Sequence, residues 1–579
     1  MNRLTALLIA VALWAGIFLP GLGSTELKGE EGRRIMPAVT MAEGGDWVVP
    51  YVGGEPFLRK PPLVQWCIAL SLKTFGHNPW AARLPSALSV LALAATMILA
   101  TRGWLKVEQA LVAAVVMMTQ VAIVDKCRLA ELEAVYSSLS GIALVLWMSW
   151  WAQGRSAWLV WTVPFIFNAL ALLAKAPLHL LFFYAVVLGA TIASGEWKRV
   201  WGRGRVVSLR IAFGWLLVLL GVWLWFFKRQ QFGLVPFAVG AVLLPPPSRP
   251  HFVGVAVMLG LFALWEEPYY HRVDPAELAK TLQHQAVDRF NGADATLGKW
   301  LLNLPMGIGD HLPWLLLAPL LWRNRAAEGL PERGAGLLRG GRWAVAGCFV
   351  GLLLIPGVLP RYVLPLTAPF SVLLAQALWR CPRWVRRAWR GTLWVLGSLL
   401  ALGAVATPFL VARAVAKGGV ALSPVLALAA VLPVVAGVLL LRSCRRDLRE
   451  VVRLSLGTGL VAAMGLTLYA VCAVPWIRLH EELRPFAQRI DASVPSGGPL
   501  LAYSVGDYPP LLAVLFHVRT PYAYAVTDKD APAGTAYYLM RGRDREKFAR
   551  KFETLALVAS MEGRDGEKPA VVLQARRIP

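Results

Sequence analysis

Carboxylates and cations that could act on one substrate follow directly on the first apolar run of the chain. Glu30 and Glu31 come first, Arg33 and Arg34 follow within four residues, and Lys60 opens a Lys-Pro-Pro-Leu run. A carboxylate can take a proton from an attacking group, and cations can stabilise a phosphate leaving group. Arginine suits that role because it grips phosphate with two parallel hydrogen bonds. The pattern therefore indicates group transfer from a phosphate-bearing substrate, although a loop kept in water by its charges would look similar.

Further charged residues stand at the ends of later apolar runs. Arg128 and Glu133 precede one such run, Lys175 lies between two runs, and Arg361 is followed by Tyr362 among prolines. Charged side chains this close to a membrane span are costly unless they are paired, solvated or functional. Lys175 could therefore bind a phosphate, and Arg361 with Tyr362 could clamp a lipid headgroup.

Each of these later positions also has a plain structural explanation, which the sequence leaves open. Arg128 could form an internal ion pair with Glu131, and Lys175 could extend its ammonium group to the lipid headgroups. Tyr362 could be an interfacial anchor, since tyrosine is common at that depth of a membrane.

No signature of a nucleotide, disulfide or structural metal site accompanies these residues. The chain has no Walker A or HExxH motif and no GxGxxG after a strand, and its six cysteines form no CxxC pair. The sequence therefore predicts no cofactor and no metal ligands, while leaving a divalent metal open. A donor already activated on a lipid carrier would need no nucleotide.

The elements that must position these residues are membrane helices. The chain has 579 residues, 57% of them hydrophobic, with a mean hydropathy of +0.55. About twenty apolar residues span a bilayer, and such runs recur throughout the sequence. The net charge of +25 comes from basic residues in short loops between these runs, as the positive-inside bias predicts. Membrane lipids, rather than nucleic acid, are therefore the expected partners of the basic surface.

The apolar runs predict a mainly α, polytopic helical bundle of about 13–15 spans. An N-terminus inside the cell places the densest basic loops on the inner side and three long segments, 23–82, 266–308 and 476–579, outside. The uncertain short runs are 231–244 and 309–322. We expect a transmembrane transferase domain over 1–475, with a catalytic external loop at 23–82 and a second external loop at 266–308. A small periplasmic α/β domain is expected over 476–579, with short strands near 499–504, 536–540 and 570–574 and a helix at 544–555.

Taken in order, the motifs resemble the N-terminal part of bacterial C-type (GT-C) glycosyltransferases. The resemblance rests on Glu30-Glu31-x-Arg33, Gly45-Asp46-Trp47, Lys60-Pro61-Pro62-Leu63 and Ala82-Arg83-Leu84-Pro85-Ser86. It continues at Arg128–Glu133, Ala174–Pro177 and Arg361–Pro365, and it extends to Asp507-Tyr508-Pro509-Pro510 in the C-terminal segment. The most similar groups are the lipid A aminoarabinose transferases and the protein O-mannosyltransferase superfamily.

This resemblance implies a sugar donor linked to polyprenyl phosphate and transfer on the periplasmic side of the bacterial inner membrane, with inversion. The acceptor would be a lipid, glycan or protein, with a lipid A-like glycolipid favoured. The family's catalytic aspartate falls on Glu30, its neighbouring glutamate on Glu31 and its second carboxylate, usually aspartate, on Glu133. The residue before Lys60 is often acidic in relatives but is Arg59 here, which argues against a metal bridge at that point. The residues implied to hold the donor phosphate are Arg33, Lys60, Arg128, Lys175, Arg361 and Tyr362.

Two functions of other classes fit parts of the same sequence. A lipid or sugar transporter would also have many spans and intramembrane charges, although no symmetric half-by-half pattern is visible. A catalytically inactive homologue that scaffolds envelope assembly would be consistent with the two Asp-to-Glu departures, at Glu30 and Glu133.

Overall fold

The computed structural model describes residues 1–175, 177–196, 213–214, 216–217, 220, 249–283, 297–323, 327, 329–416, 449–561 and 570–578. Within these ranges, six helices are long and apolar enough to cross a membrane. A seventh span is possible if the segments Trp300–Asp310 and Trp314–Trp322, bent by 87°, count as one. Four shorter apolar helices accompany them. The prediction of a mainly α, multi-pass membrane bundle is therefore confirmed, while the short run predicted at 231–244 lies outside the described residues.

The described helices run from the N-terminus into the C-terminal domain, with short 3₁₀ helices at Trp314–Trp322 and Pro360–Leu366. In chain order they are α1 (Arg3–Phe18), α2 (Glu31–Ala42), α3 (Leu63–Phe75), α4 (Pro79–Ala100), α5 (Val107–Met118), α6 (Val121–Lys126), α7 (Leu132–Ala152), α8 (Ala157–Ala174), α9 (Leu178–Ala193), α10 (Arg249–Tyr270), α11 (Pro275–Gln283), α12 (Leu297–Asp310), α13 (Glu332–Leu353), α14 (Thr367–Leu378), α15 (Arg383–Ala416), α16 (Glu450–Leu468), α17 (Val474–Arg478), α18 (Leu483–Ser493), α19 (Pro509–His517) and α20 (Arg545–Ala549).

The segment predicted as an external loop at 23–82 is folded rather than irregular. It contains α2, α3 and a two-stranded hairpin of β1 (Tyr51–Val52) and β2 (Glu55–Pro56). Helix α2 starts directly after Gly29, whose φ of +54° is a conformation that glycine adopts at little cost. The helix buries one apolar face, which includes Ile35 and Val39. This folding fixes the direction of the charged residues in its first turn.

The second predicted loop, 266–308, is largely helical where it is described. Helix α10 continues to Tyr270 because Trp265 and Tyr269 face inward and pack with Val49 of the first external segment. The Trp265 indole also donates a hydrogen bond of 2.9 Å to the Val48 carbonyl. Helix α10 therefore extends to Tyr270 and includes the first five residues of the predicted loop.

The C-terminal segment forms a five-stranded sheet in the order β4-β3-β5-β7-β6. Strand β3 pairs in parallel with β4 and β5, and β7 pairs antiparallel with β5 and β6. The strands predicted near 499–504, 536–540 and 570–574 are confirmed. The strands are β3 (Leu500–Tyr503), β4 (Tyr522–Ala525), β5 (Thr535–Met540), β6 (Phe552–Met561) and β7 (Ala570–Arg577).

The helix predicted at 544–555 is wrong in its second half. Helix α20 ends at Ala549, and Phe552 already begins strand β6. Phe548 and Phe552 stack with ring centroids 4.2 Å apart under the sheet. Their spacing of four residues therefore came from a tight turn between helix and strand that brings both rings into one core.

The C-terminal domain and the first external segment share one hydrophobic core. Ile35 of α2, Val64 of α3, Tyr136 of α7 and Phe516 of α19 all lie in a single buried cluster. The two backbones also approach closely, because a methyl group built at Gly53 would lie 2.3 Å from the Gly506 carbonyl oxygen. The domain is thus packed directly against the segment that carries the candidate acidic residues.

Candidate active site

Glu31 is fully buried at the start of α2 and is held by an arginine from the next membrane helix. Arg83 donates from Nε and Nη2 to the two carboxylate oxygens of Glu31, both at 2.7 Å. The backbone amides of Lys28 and Ala130 donate to the same carboxylate at 2.8 Å. Four hydrogen bonds leave this carboxylate little freedom to accept a proton from a substrate. Its contacts are those of a residue that fixes the first turn of α2.

Glu30 has a different environment, although it is the next residue. It lies at the N-cap position of α2 with about a third of its side chain exposed. Arg33 Nη1 lies 2.8 Å and Arg34 Nη2 3.3 Å from the same oxygen, Oε2. Within the described part of the chain, Oε1 accepts no hydrogen bond. Glu30 is therefore a partly exposed carboxylate with one oxygen held in place and the other directed to no protein donor.

Glu133 gathers two of the predicted cations at the start of α7. Lys175 Nζ lies 3.0 Å and Arg361 Nε 3.4 Å from its Oε1 atom. The Lys175 ammonium also lies 4.7 Å from the centre of the Tyr362 ring and 5.5 Å from that of Tyr136. Four of the residues predicted from separate motifs, Glu133, Lys175, Arg361 and Tyr362, therefore meet in one place.

Arg34 links this cluster to Glu30 and is the least satisfied cation of the site. Its side chain is buried over the Phe57 ring, and its Nε and Nη1 atoms have no hydrogen-bond partner among the described residues. Burial lowers the pKa of this guanidinium, an effect that the negative charges of Glu30 and Glu133 oppose. Buried donors without partners are costly. They are expected where a ligand supplies the missing acceptors.

Arg33 is instead fully engaged between two carboxylates. Besides Glu30, its Nε atom donates to the Asp507 backbone carbonyl at 3.0 Å and lies 3.5 Å from Asp507 Oδ2. Arg59 Nη1 lies 2.8 Å from the same Oδ2 atom. Asp507 thus connects the C-terminal domain to helix α2 and to the loop after β2.

The chain is similar in sequence to known sugar transferases. The sequence profile of the family described as "Dolichyl-phosphate-mannose-protein mannosyltransferase" matches residues 59–225. The undecaprenyl phosphate-alpha-4-amino-4-deoxy-L-arabinose arabinosyl transferase of Pseudomonas savastanoi pv. phaseolicola is 26% identical over 377 residues, which cover 64% of this chain and 61% of that protein. The transferase of the same name from Pseudomonas aeruginosa LESB58 is 26% identical over 60% of this chain and 55% of its own length. The chain thus matches less than two thirds of the length of these relatives.

Among solved structures, the crystal structure of ArnT from Cupriavidus metallidurans bound to undecaprenyl phosphate has a TM-score of 0.65. The identity is 18%, and the match covers 99% of this chain and 97% of that one. The chain is thus similar in sequence to these glycosyltransferases and shares the fold of that structure. The resemblance expected from the ordered motifs is confirmed.

Arg128, one of the predicted phosphate ligands, does not join the Glu133 cluster. The Arg128 guanidinium donates to backbone carbonyls at the end of α1, at 2.6 Å to Ile17 and closely to Pro20. It therefore joins neither the cluster nor Glu131, and the predicted Arg128–Glu131 ion pair is not formed. Lys60 is half-buried on the loop after β2, beside Arg59.

Glu131, expected from the sequence only as a possible ion-pair partner of Arg128, is a further carboxylate of the site. It is buried against Gly29, and its Oε2 atom has no hydrogen-bond partner among the described residues. Burial, together with the negative charge of Glu133, raises the pKa of Glu131 to about 7. Within the described residues, no three acidic, His or Cys side chains come together as metal ligands would.

Arg83 and Asp507 had no role in the sequence-based site, although both stand in motifs that carry the resemblance. Arg83 is the only charged residue of helix α4, which is a signal that sequence alone provides. Asp507 had no such signal, because its partners Arg33 and Arg59 are more than four hundred residues away in the chain.

Proposed function

We propose that this protein is a membrane glycosyltransferase that moves a sugar from a polyprenyl-phosphate donor to an envelope acceptor. The observation that carries the proposal is the excess of cations around the two carboxylates Glu30 and Glu133. Arg34, Lys175 and Arg361 converge there, and Arg34 has two buried donors without protein acceptors. A phosphate group would supply those acceptors and balance the charge.

The cation cluster should stabilise the departing phosphate in the transition state more strongly than the phosphate of the bound donor. A sugar linked to polyprenyl phosphate is a phosphodiester with one negative charge. When the bond from the anomeric carbon to the phosphate oxygen breaks, the phosphate gains a second charge. Cations already in place stabilise that developing charge without reorganising, which lowers the barrier. We assign Arg34, Lys175 and Arg361 to this role, with Tyr362 and Lys60 as further contacts of the phosphate.

Glu30 is the residue that we propose as the general base. Its Oε1 atom would take the proton from the acceptor hydroxyl or phosphate while the acceptor oxygen bonds to the anomeric carbon. The carbon–oxygen bond to the donor phosphate breaks on the opposite face, so the configuration inverts. Glu31 would fix the turn that carries Glu30, and Glu133 would orient Lys175 and Arg361. Of the three predicted catalytic carboxylates, this proposal gives proton transfer to Glu30 alone.

The donor and acceptor classes in this proposal follow the named relatives. Those relatives are transferases of undecaprenyl phosphate-linked aminoarabinose, and the related fold was solved with undecaprenyl phosphate bound. A lipid A-like glycolipid is accordingly the favoured acceptor. The proposal places the protein in the bacterial inner membrane, with α2, the Glu133 cluster and the C-terminal domain on the periplasmic side.

Mass spectrometry of envelope lipids and glycans from a deletion strain would test this function. The strain would be complemented with wild type, Glu30→Gln or the control Glu43→Gln, which changes an exposed carboxylate at the end of the same helix. We expect a sugar that is missing in the deletion strain and restored by wild type and the control but not by Glu30→Gln. Full restoration by Glu30→Gln would remove Glu30 as the base.

The same comparison separates the other two functions. A transporter would move a labelled polyprenyl lipid across vesicles containing the purified protein, without any covalent product. An inactive scaffold would restore the envelope of the deletion strain even as a Glu30→Ala, Glu133→Ala double variant.

A further inference from the structure

We propose that Asp507 of the C-terminal domain is a positioning residue for the base Glu30, through which that domain completes the active site. The inference rests on the proposed function, because it assigns a role within the same site. It also gives Arg33 a role other than phosphate binding. Arg33 would be the link that transmits the position of the C-terminal domain to Glu30.

The link is a continuous chain of charged contacts. Asp507 Oδ2 lies 2.8 Å from Arg59 Nη1 and 3.5 Å from Arg33 Nε. Arg33 in turn reaches Glu30 Oε2 with Nη1 at 2.8 Å. The fork of Arg33 is therefore shared between a carboxylate on its own helix and one from the other end of the chain. Two anchors on one planar group restrict its rotation and so define where Glu30 is held.

The backbone around Asp507 is held firmly, which a positioning role requires. Arg541 donates from Nη2 to the Val505 carbonyl at 2.7 Å, and its guanidinium lies 4.9 Å from the centre of the Tyr508 ring. Directly after Tyr508, the chain enters α19, which packs on α2. A methyl group at Gly32 would lie 2.7 Å from the Pro509 carbonyl oxygen, so the first turn of α2 touches this backbone directly.

The charge arrangement explains why Arg33 serves position rather than donor binding. Its guanidinium already lies between Glu30 and Asp507, whose two negative charges offset the positive charge that would attract a phosphate. Arg34, one residue on, has buried donors to offer. Arg33 thus holds the base Glu30, while Arg34, the next residue on α2, faces the phosphate.

Steady-state kinetics of the purified protein in nanodiscs, with a polyprenyl-phosphate-linked sugar, would test this inference. For Asp507→Asn we expect kcat to fall by about ten- to a hundredfold, the loss typical of a reacting group displaced by about 1 Å. The dissociation constant for undecaprenyl phosphate should stay within about threefold of wild type, since the cations facing the phosphate are unchanged. Asp507→Glu should recover part of kcat, and adding Asp507→Asn to Arg33→Gln should cause little further loss, because Asp507 acts through Arg33.

Two carboxylates of the same domain provide matched controls. Asp491 accepts hydrogen bonds from the Arg519 and Thr520 backbone and so stabilises the domain without touching α2. Asp528 forms an exposed pair with Lys551. We expect Asp491→Asn to lower the Tm and Asp528→Asn to leave it unchanged, and both to keep wild-type kcat below their Tm. A purely structural role of Asp507 would instead lower the Tm of Asp507→Asn and leave its kcat below that Tm at the wild-type value, as expected for Asp491→Asn.

Hydrogen exchange of the first turn of α2 gives a readout that does not depend on turnover. Asp507→Asn should speed exchange there, while Asp528→Asn should not. If wild type transfers no sugar from any polyprenyl-phosphate donor, the proposed function fails, and exchange alone still tests the link. If wild type is active and Asp507→Asn has unchanged kcat and exchange, the inference is wrong and the proposed function stands.

Discussion

Replacing Arg34 by methionine should stabilise the free protein and weaken donor binding at the same time. Methionine keeps most of the length of the side chain against Phe57 but removes two buried donors, Nε and Nη1, that lack partners among the described residues. Each such group costs about 1–3 kcal/mol. The lost contact to Glu30, at 3.3 Å from a partly exposed carboxylate, returns about 1 kcal/mol. The net gain in stability is therefore on the order of 1–5 kcal/mol.

Donor binding should change in the opposite direction. If the two unpartnered donors of Arg34 bind phosphate oxygens, each charged hydrogen bond contributes about 1.5–3 kcal/mol. Losing about 3 kcal/mol in total would weaken undecaprenyl phosphate binding by about two orders of magnitude. The assay is the Tm of the detergent-solubilised protein, measured as undecaprenyl phosphate is titrated. Lysine at position 34 keeps the charge without the planar fork and should give intermediate affinity.

The two effects together distinguish a binding residue from a structural one. If Arg34 had only a structural role, Arg34→Met would have a lower Tm than wild type in the absence of ligand. Its dissociation constant for undecaprenyl phosphate would be unchanged. That result would refute the assignment of the phosphate site to Arg34, Lys175 and Arg361, because it would mean that the buried donors are satisfied within the protein.

Two further predictions concern the carboxylates next to the base. Replacing Arg83 by methionine leaves the fully buried Glu31 without its ion-pair partner. Breaking such a pair costs about 3–5 kcal/mol, so the Tm should fall sharply. An unchanged Tm would mean that Arg83 does not hold Glu31. The raised pKa of Glu131, about 7 against 4.5 in the unfolded chain, favours the folded state at low pH. That contribution is complete below pH 4.5 and is lost as the pH rises through 7, about 3 kcal/mol in all. Glu131→Gln should therefore raise the Tm at pH 8 but not at pH 5, and equal Tm changes at both would contradict the burial of a charged Glu131.

The local part of this site could be predicted from the sequence because its geometry is helical. Arg33 and Arg34 stand three and four residues after Glu30, the spacing that brings side chains together on one helix face. The same holds for the apolar runs, whose length alone predicts membrane helices. The convergence of Glu133, Lys175 and Arg361 was expected only through resemblance, since no period in the sequence links three separate helix ends.

What the sequence could not predict are the contacts made by long-range packing. Nothing near Glu31 indicated that its partner would be Arg83, on the following membrane helix, and nothing near Asp507 indicated Arg33. Arg128 shows the reverse error, because a cation beside carboxylates was given a role in phosphate binding. In the structure, Arg128 donates hydrogen bonds to backbone carbonyls at the end of α1. The sequence does not indicate that these carbonyls lie beside Arg128.

The glutamate at position 30, where the resemblance to GT-C glycosyltransferases implies an aspartate, can be tested by substitution. Its longer side chain lets Oε2 reach both Arg33 and Arg34 of the same helix, at 2.8 and 3.3 Å. Aspartate is shorter by one methylene, about 1.5 Å, so it would lose at least one of these contacts and move its free oxygen away from the acceptor. We therefore expect Glu30→Asp to lower kcat by about ten- to a hundredfold, although it restores the residue type of the family.

Whether Glu30→Asp lowers or raises the transfer rate distinguishes an active transferase from an inactive homologue. A chain that keeps transferase activity with glutamate has adjusted the surrounding arginines to the longer side chain, and shortening it must then cost rate. A chain that has lost activity through the same substitution would gain rate from aspartate, measured as sugar transferred per enzyme in nanodiscs. Higher activity of Glu30→Asp than of wild type would favour the inactive scaffold and would contradict the positioning of Glu30 by Arg33 and Arg34.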